Sequence, residues 1–161
     1  MTIANHYRNK VIADWIDYNG HMSEAYYVLL FGFATDALYD RLGFDSKYRE
    51  RLKRSLYTVE SHIRYLQEVS EGEEVTIETR LLSYDSKRLH FCHDMVVQGN
   101  VVATSEIMAL HVSTQASGGI VKFGEADLLQ FAALKTKDIP EYVGRAVQYL
   151  NHRKATMNKC A

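Results

Sequence analysis

A single carboxylate stands just ahead of the most apolar part of the chain. Asp17 lies within the segment WIDYNGHMSEAYY (residues 15–27), and a long apolar run follows it. A carboxylate in such a place can attack an activated carbonyl directly, or it can activate a water molecule for the attack. The first amide groups of a helix lack intrahelical partners, so they can stabilise the negative charge that grows on the carbonyl oxygen. The alternative is structural, with Asp17 only closing an Asx turn with Asn19.

The residues after Asp17 predict a tight turn at the edge of a binding site. Asn19 and Gly20 form a turn signal, and Gly20 would let the backbone approach a ligand closely. His21 can contact that ligand, or it can fix the turn through its ring nitrogens. All three are candidate substrate-binding residues.

Aromatic side chains form a second group with a chemical interpretation. The group comprises Trp15, Tyr18, Tyr26, Tyr27 and Tyr57. Aromatic faces attract quaternary ammonium groups by roughly 0.5–2 kcal/mol each, depending on desolvation. The alternative is that rings at helical spacing belong to the core, so only some of them can form a cage around a cation.

Charged side chains further along the chain are candidates for supporting roles. Glu60 and His62 share one face of a predicted strand, because residues two apart point the same way. They are candidates for a second acid–base pair, with Glu60 also able to pair with a bound cation, or for a half-exposed ion pair. Lys87 and Arg88 occupy a predicted hairpin, where they either bind phosphate groups or are simply solvated.

The histidines do not predict a metal site. His90 and His93 are three residues apart in a predicted strand and therefore face opposite sides of it. A phosphate-binding loop and a dinucleotide-binding glycine motif are both absent from the sequence. We therefore expect neither a metal nor a cofactor.

The elements that must position these residues begin with a strand and a long helix. Residues 6–14 predict a short strand. Apolar residues at three- and four-residue steps predict a helix over 24–42, with Ser23 as its N-cap and Gly43 as the left-handed residue after its end. The start of this helix is apolar nearly all round, which predicts burial on most of its sides.

The rest of the chain predicts a sheet and a helical tail. A short charged helix is expected over 46–54. A period of two then predicts four strands, over 56–69, 75–84, 89–98 and 101–114. Because short turns join these strands, we expect an antiparallel meander of sequential neighbours. Two tail helices are predicted over 124–134 and 140–154, the second starting at Pro140. A helix that is apolar all round needs a sheet to wrap it, which indicates the α+β class.

Composition narrows the class of protein. The chain has 161 residues, with 47% hydrophobic and 24% charged residues and a formal net charge of -1. This size suits one domain, and the charge gives no general attraction to nucleic acid or to an anionic membrane. Two cysteines, Cys92 and Cys160, do not form a disulfide framework, and the N-terminus has no apolar signal region. We expect a cytoplasmic protein with a single domain over 1–161, which binds neither nucleic acid nor a membrane.

The order of the elements, with the residues at their joints, resembles the hot dog fold. More narrowly, it resembles the acyl-CoA thioesterases of the 4-hydroxybenzoyl-CoA thioesterase type. The first family motif runs from an acid through Gly-His to a tyrosine-bearing helix and is matched by residues 17–27. IRYLQEVSEGEEV (63–75) and DSKRLHF (85–91) match two further motifs. The resemblance implies a long central helix wrapped by a curved antiparallel sheet, with a core over about 6–115 and a helical tail over 124–155.

A closer resemblance is to the betainyl-CoA thioesterases associated with bacterial carnitine breakdown. It is carried by DWIDYNGHMSEAYY and FGFATDALYDRLG. The chain departs from this family at Ser23, where many relatives carry Asn. It also departs at Trp15, where many relatives carry a second Asp.

The resemblance implies hydrolysis of a short acyl-CoA thioester, with betainyl-CoA as the favoured substrate. It assigns Asp17 as nucleophile or general base and the helix amides as donors to the oxyanion. It also implies a dimer or a dimer of dimers, joined by sheet edges with sites at the shared boundary. Two alternatives stay open, a hydratase or dehydratase that pairs His21 with Glu60, and a non-catalytic acyl-CoA-binding protein.

Overall fold

One five-stranded antiparallel sheet and one long helix make up most of the fold. The structure is a computed structural model that describes residues 2–145. The strands, in chain order, are β1 (Asn5–Lys10), β2 (Arg54–Tyr65), β3 (Glu74–Tyr84), β4 (Arg88–Val97) and β5 (Asn100–Ser113). The helices are α1 (Glu24–Arg41), α2 (Ser46–Leu52) and α3 (Glu125–Leu134), with a 3₁₀ turn at Ala13–Trp15. The predicted α+β class is confirmed, and the predicted elements lie within a few residues of the observed ones, except for the second tail helix, which is not helical over 140–145.

The order of the strands corrects the predicted meander. The sheet runs β1-β3-β4-β5-β2, so β3, β4 and β5 pair in sequence but β2 does not pair with β3. Instead β2 pairs with β5, and Ser61 lies opposite Ile107. The link from β2 to β3 is not a tight turn, because the Val69 carbonyl accepts from Met22 N and Gly72 N donates to Val11 O. These bonds carry the chain past the start of α1 to β3, which lies between β1 and β4, so β1 and β2 are the two edge strands.

Helix α1 packs against the sheet through one face only. Leu30, Phe31, Ala34 and Leu38 are buried at three- and four-residue steps. Three apolar side chains on α1 stay exposed, namely Val28, Leu29 and Phe33. The predicted burial on most sides is therefore wrong for the single chain, because the sheet covers only one side of the helix.

The core divides into two clusters along α1. The first surrounds the N-terminal half of the helix and contains Val11, Met22, Tyr27, Phe31, Ile77 and Met95. The second surrounds the C-terminal half and contains Leu38, Phe44, Leu81, Phe91, Phe123 and Phe131. Gly43 has φ +84, as expected for the residue that ends such a helix. Because Phe131 lies on α3, the first tail helix closes the end of the fold that is remote from Asp17.

After α3 the chain crosses the face of the sheet opposite α1. Thr136 N donates to the Leu81 carbonyl, and the Tyr142 hydroxyl donates to Asp94 Oδ1 at 2.5 Å. Gly144 N donates to the Glu106 carboxylate at 3.0 Å. Residues 141–145 of the second predicted tail helix form turns, and the remainder lies outside the described residues. Within 2–145, each helix is too short or too polar to cross a membrane.

Candidate active site

Asp17 lies in a short loop that delivers the chain to the start of α1. Asp17 N donates to the His21 carbonyl at 3.0 Å, and Gly20 N donates to the Asp17 carbonyl at 2.9 Å. Gly20 has φ +83 with open space around its missing side chain. This glycine is therefore needed for the left-handed backbone of the turn. The loop closes on itself immediately before the helix.

The Asp17 carboxylate is oriented by its own turn. Asp17 is half-buried, and its Oδ1 accepts a hydrogen bond from Asn19 N at 2.7 Å. The Asx turn considered from the sequence is thus present. A carboxylate has about four acceptor positions on its two oxygens, so a single bond leaves most of its capacity for other partners. The turn and a catalytic role are compatible, since the turn fixes the direction of the side chain.

The start of α1 lacks the side-chain cap that the sequence predicted. Ser23 is the N-cap residue and has extended backbone angles, but its side chain makes no capping hydrogen bond. The predicted role of the Ser23 hydroxyl is therefore wrong. Tyr26 N donates to the Ser23 carbonyl at 3.0 Å, but no Ser23 side-chain bond occupies the N–H groups of the first turn. The N–H groups of Glu24 and Ala25 therefore remain suited to bind a developing oxyanion.

A groove of about 400 Å³ opens beside this helix start. It is formed where the end of β2 meets the first turn of α1, and its lining includes Met22, Glu24, Tyr27, Tyr65, Gln67 and Glu68. The Tyr27 and Tyr65 rings meet edge to face with centroids 5.4 Å apart. The Tyr27 hydroxyl donates to the Gln67 carbonyl at 3.2 Å, which holds the two elements together.

An ion pair joins the Asp17 loop to the groove. His21 Nε2 lies 3.2 Å from Glu68 Oε2, and the His21 side chain is 37% exposed whereas that of Glu68 is 74% exposed. The sequence analysis considered Glu60 as the acidic partner of His21 in a hydratase dyad. In the structure the acidic side chain that contacts His21 is Glu68. His21 therefore both anchors the loop and borders the groove.

Glu24 and Glu68 give the groove a negative potential. Burial raises the pKa of Tyr27, and the negative charges of Glu68 and Glu73 raise it further. Burial also raises the pKa of Tyr65, with a further contribution from Glu24. Both phenols therefore stay neutral at physiological pH, and neither serves as a base.

The predicted aromatic residues do not form one cage. Trp15 and Tyr26 stack on each other, with centroids 5.5 Å apart and planes inclined by 19°. This contact occupies one face of each ring. Tyr18 is 97% exposed at the tip of the Asp17 loop. These three rings border the Asp17 loop, but they lie outside the groove lining.

Three predicted residues on β2 lie away from Asp17 within the chain. His62 pairs in register with Glu106, whose carboxylate is bonded on the sheet face opposite α1. Glu60 shares that face, because it lies two residues from His62. Tyr57 precedes Tyr65 by eight residues, or about 26 Å of strand. One chain alone does not bring these residues to Asp17.

The predicted phosphate-binding residues lie at the opposite end of the sheet. Arg88 Nε donates to Asp85 Oδ2 at 2.8 Å, so its guanidinium is already paired. Arg88 pairs with Leu110 of β5, whereas the groove end of the sheet is marked by Val102. Eight residues of strand separate Val102 from Leu110, which corresponds to about 27 Å. Lys87 and Arg88 are therefore remote from Asp17 of the same chain.

The part of the chain that the structure describes holds no cluster of three or more His, Cys, Asp or Glu side chains able to bind a metal ion. His90 and His93 face opposite sides of the sheet, as predicted, since His90 contacts Glu106 and His93 contacts Thr35 of α1.

A long helix on an antiparallel sheet, with a carboxylate in the loop before that helix, defines a hot dog domain of the thioesterase kind. The chain belongs to the thioesterase-like superfamily, whose family model matches residues 11–147. This membership confirms the predicted family and the predicted class of enzyme, a thioester hydrolase.

Individual relatives agree with this assignment. The chain is 41% identical over 147 residues to the betainyl-CoA thioesterase of Pseudomonas aeruginosa PAO1, covering 88% of this chain and 92% of that protein. A candidate thioesterase from Pseudomonas putida KT2440 superposes with a TM-score of 0.74 at 40% identity, covering 89% and 94% of the two chains. A Staphylococcus aureus protein in complex with CoA superposes with a TM-score of 0.80 at 27% identity, with the same coverage.

Proposed function

We propose that the chain hydrolyses short acyl-CoA thioesters, with betainyl-CoA as its substrate. The observation that carries the proposal is the position of Asp17 in a self-closed loop immediately before α1, whose N-cap residue Ser23 makes no side-chain capping bond. The similarity to the betainyl-CoA thioesterase of Pseudomonas aeruginosa supports the choice of acyl group. We propose the cytoplasm as the compartment, where the CoA thioester and a free buried thiol such as Cys92 would both persist.

The proposed reaction uses two groups near the start of α1, namely its first-turn N–H groups and the Asp17 carboxylate. The thioester carbonyl oxygen would receive hydrogen bonds from first-turn N–H groups of α1, which stabilise the charge of the tetrahedral intermediate. Asp17 would either form a bond to the carbonyl carbon or accept a proton from the attacking water. In both routes the C–S bond breaks and CoA leaves as its thiolate. Direct attack adds a second step, in which water hydrolyses the mixed anhydride on Asp17.

We propose that two chains join through their β2 edges, as a dimer or a dimer of dimers. β2 is a 12-residue edge strand whose exposed side chains include Tyr57, Val59 and Tyr65. Long apolar edge strands are rarely left unpaired. Antiparallel pairing about a two-fold axis would set the start of one β2 opposite the end of the other. That arrangement would carry Tyr57, Glu60 and the Lys87–Arg88 hairpin of one chain towards Asp17 of the other.

The test uses release of free CoA thiol from a panel of acyl-CoAs. We expect betainyl-CoA to be cleaved, and we expect Asp17→Asn to lower kcat by about 100-fold or more. Asparagine keeps the Oδ1 acceptor of the Asx turn but removes the nucleophile and base. Asp14→Asn is the matched control, because Asp14 is an exposed acid in the preceding 3₁₀ turn, and it should keep full activity.

The outcomes separate the alternatives. Consumption of an unsaturated acyl-CoA without release of thiol would indicate a hydratase. Binding without turnover would indicate an acyl-CoA-binding protein. Full activity in the Asp17→Asn variant would remove Asp17 from the mechanism.

A further inference from the structure

We propose that the groove between the start of α1 and the end of β2 is a cation subsite, in which the Tyr65 ring and the Glu24 and Glu68 carboxylates hold the quaternary ammonium group of the acyl moiety. This inference rests on the proposed function. It assigns a role in substrate specificity to Tyr65, Glu24 and Glu68, which the sequence analysis did not name as site residues. It predicts that the enzyme prefers a cationic acyl group to a neutral acyl group of the same shape.

The geometry of the substrate class limits where such a subsite can be. In a betainyl thioester one methylene separates the ammonium nitrogen from the carbonyl carbon, so the two atoms lie about 2.5 Å apart. A cation is attracted to an aromatic ring within about 6 Å of its centroid. The recognising groups must therefore lie directly beside the oxyanion donors. Glu24 is the first residue of α1, and Tyr27 lies within its first turn.

The groove presents the chemistry that a quaternary ammonium group needs. Tyr65 is 47% exposed, so part of its ring is open to a ligand. Tyr27 is buried behind it in an edge-to-face contact, with its hydroxyl bonded to Gln67. Such a cation cannot donate a classical hydrogen bond, so ring faces and carboxylate charge are its natural partners.

The charge of the groove has one sign. Glu24 and Glu68 contribute two carboxylates to its lining, and the described lining contains no lysine or arginine. His21 borders the groove and is paired with Glu68 of its lining. Burial is the main cause of the raised pKa values of Tyr27 and Tyr65, and the charges of Glu68 and Glu24, respectively, raise them further.

Other aromatic candidates fit less well within one chain. Tyr57 lies about 26 Å along β2 from Tyr65. Trp15 and Tyr26 use one face of each ring for their mutual stack. Tyr18 is at an exposed loop tip outside the groove lining.

The experiment compares two substrates of the same shape. Betainyl-CoA and 3,3-dimethylbutyryl-CoA differ in a quaternary nitrogen against a quaternary carbon, so the ratio of their kcat/KM values isolates the charge. We expect the wild type to favour betainyl-CoA. Tyr65→Leu should lower the ratio about fivefold, whereas Tyr65→Phe, which keeps the ring face, should change it less than about twofold. Glu24→Gln and Glu68→Gln should each lower the ratio about two- to threefold, without touching the core.

Each outcome decides one assignment. Equal cleavage of both substrates by the wild type would overturn the cation subsite while leaving the hydrolase assignment intact. A charge preference that survives in Tyr65→Leu and in both glutamine variants would place the subsite elsewhere. If neither substrate releases thiol, the proposed function fails, and calorimetric binding of the same two acyl-CoAs still measures the charge preference.

Discussion

His93 is a histidine that the fold keeps neutral. It lies beneath α1, with Nε2 2.9 Å from Thr35 Oγ1 and Nδ1 2.8 Å from Thr79 Oγ1. Its ring stacks on Phe31, with centroids 5.8 Å apart. Burial lowers the pKa of His93 to about 3. The ring therefore acts as a neutral polar link between α1 and the sheet.

This burial predicts a specific loss of stability in acid. The pKa of an unfolded histidine is about 6.5, so below that pH the unfolded chain binds a proton that the folded chain rejects. The His93 contribution is complete above pH 6.5 and decreases by up to about 1.4 kcal/mol per pH unit as the pH falls towards 3. Urea unfolding between pH 4 and 8 measures this slope.

The matched variants for this measurement are His93→Gln and His6→Gln. Glutamine at position 93 removes the titrating ring and should flatten the pH dependence, even though it lowers stability overall. His6 is exposed on β1, so its replacement should leave the slope unchanged. A wild-type slope in His93→Gln would assign the acid sensitivity to other groups.

The sequence predicts some site residues better than others. Asp17, Gly20 and His21 are close in sequence, and the turn chemistry between them was sufficient to predict their loop. Tyr65 and Glu68 were missed because they reach α1 only through the pairing of β2 with β5, which is a long-range event. The one available signal was the period of two, which places Tyr65 on the same face as Ile63.

At the scale of elements, the two helix starts differ in how they are capped. The Asp45 side chain accepts a hydrogen bond from Tyr48 N at the start of α2, at 2.8 Å. Ser23 makes no such bond at the start of α1. An uncapped start is less stable locally but leaves N–H groups for a ligand. The longer helix α1 can tolerate this, since packing of its buried face supplies most of its stability.

This difference in capping predicts that two alanine substitutions will change the free energy of unfolding by different amounts. Asp45→Ala should lower the free energy of unfolding by about 1 kcal/mol, because it removes a formed cap. Ser23→Ala should change it by less than about 0.5 kcal/mol, since no capping bond is lost. Chemical denaturation of both variants gives the comparison. A cost at Ser23 equal to that at Asp45 would show that the serine hydroxyl caps α1 in solution.

The segment after α3 belongs to the sheet rather than to the groove. On the face opposite α1, His90 Nε2 lies 2.8 Å from Glu106 Oε1, and Arg80 forms an ion pair with Asp94. Buried charges need partners that replace water. Tyr142 and Gly144 supply further hydrogen bonds to the two acids. The described tail therefore covers the outer face of the sheet.

The periodicity of apolar residues in the sequence predicted where the strands lie, but it did not predict which strands pair with each other. Periods of two and 3.6 located β3, β4, β5 and α1 to within one residue at each end, whereas the predicted β2 began two residues late and ended four residues late. Pairing β2 with β3 relied on the short link between them, and that rule failed because the link bonds to Val11 and Met22 instead. Bonds between distant segments of this kind leave no periodic signal in the sequence.

At the scale of the whole molecule, several apolar side chains stay exposed on α1 and on the edge strand β2. Val28, Leu29 and Phe33 project from α1, and the neighbouring edge strand β2 exposes Val59 and Tyr57. Between α1 and β2 lies a groove of about 310 Å³, whose lining includes Ser105 and Tyr39. The buried hydroxyl of Ser105 has no hydrogen-bond partner within the described chain. Exposed apolar side chains along an unpaired edge strand favour burial of that surface against another copy.

A charge on this surface should separate folding from assembly. Val59 is 56% exposed at the β-bulge of β2, so Val59→Lys should be tolerated by the single chain. At a paired edge the same lysine would be desolvated or would face its symmetry mate, which opposes association. We expect Val59→Lys to be a folded monomer, with kcat/KM for betainyl-CoA lowered about tenfold or more if each site draws on both chains. Light scattering measures the mass, circular dichroism measures the fold and thiol release measures the activity.

Leu129→Lys is the matched control for Val59→Lys. Leu129 is 73% exposed on α3, at the other end of the molecule from Asp17, so the Leu129→Lys variant should stay dimeric and active. A wild-type chain that is monomeric and fully active at assay concentration would refute the shared site, and would require the groove at α1 to function within one chain.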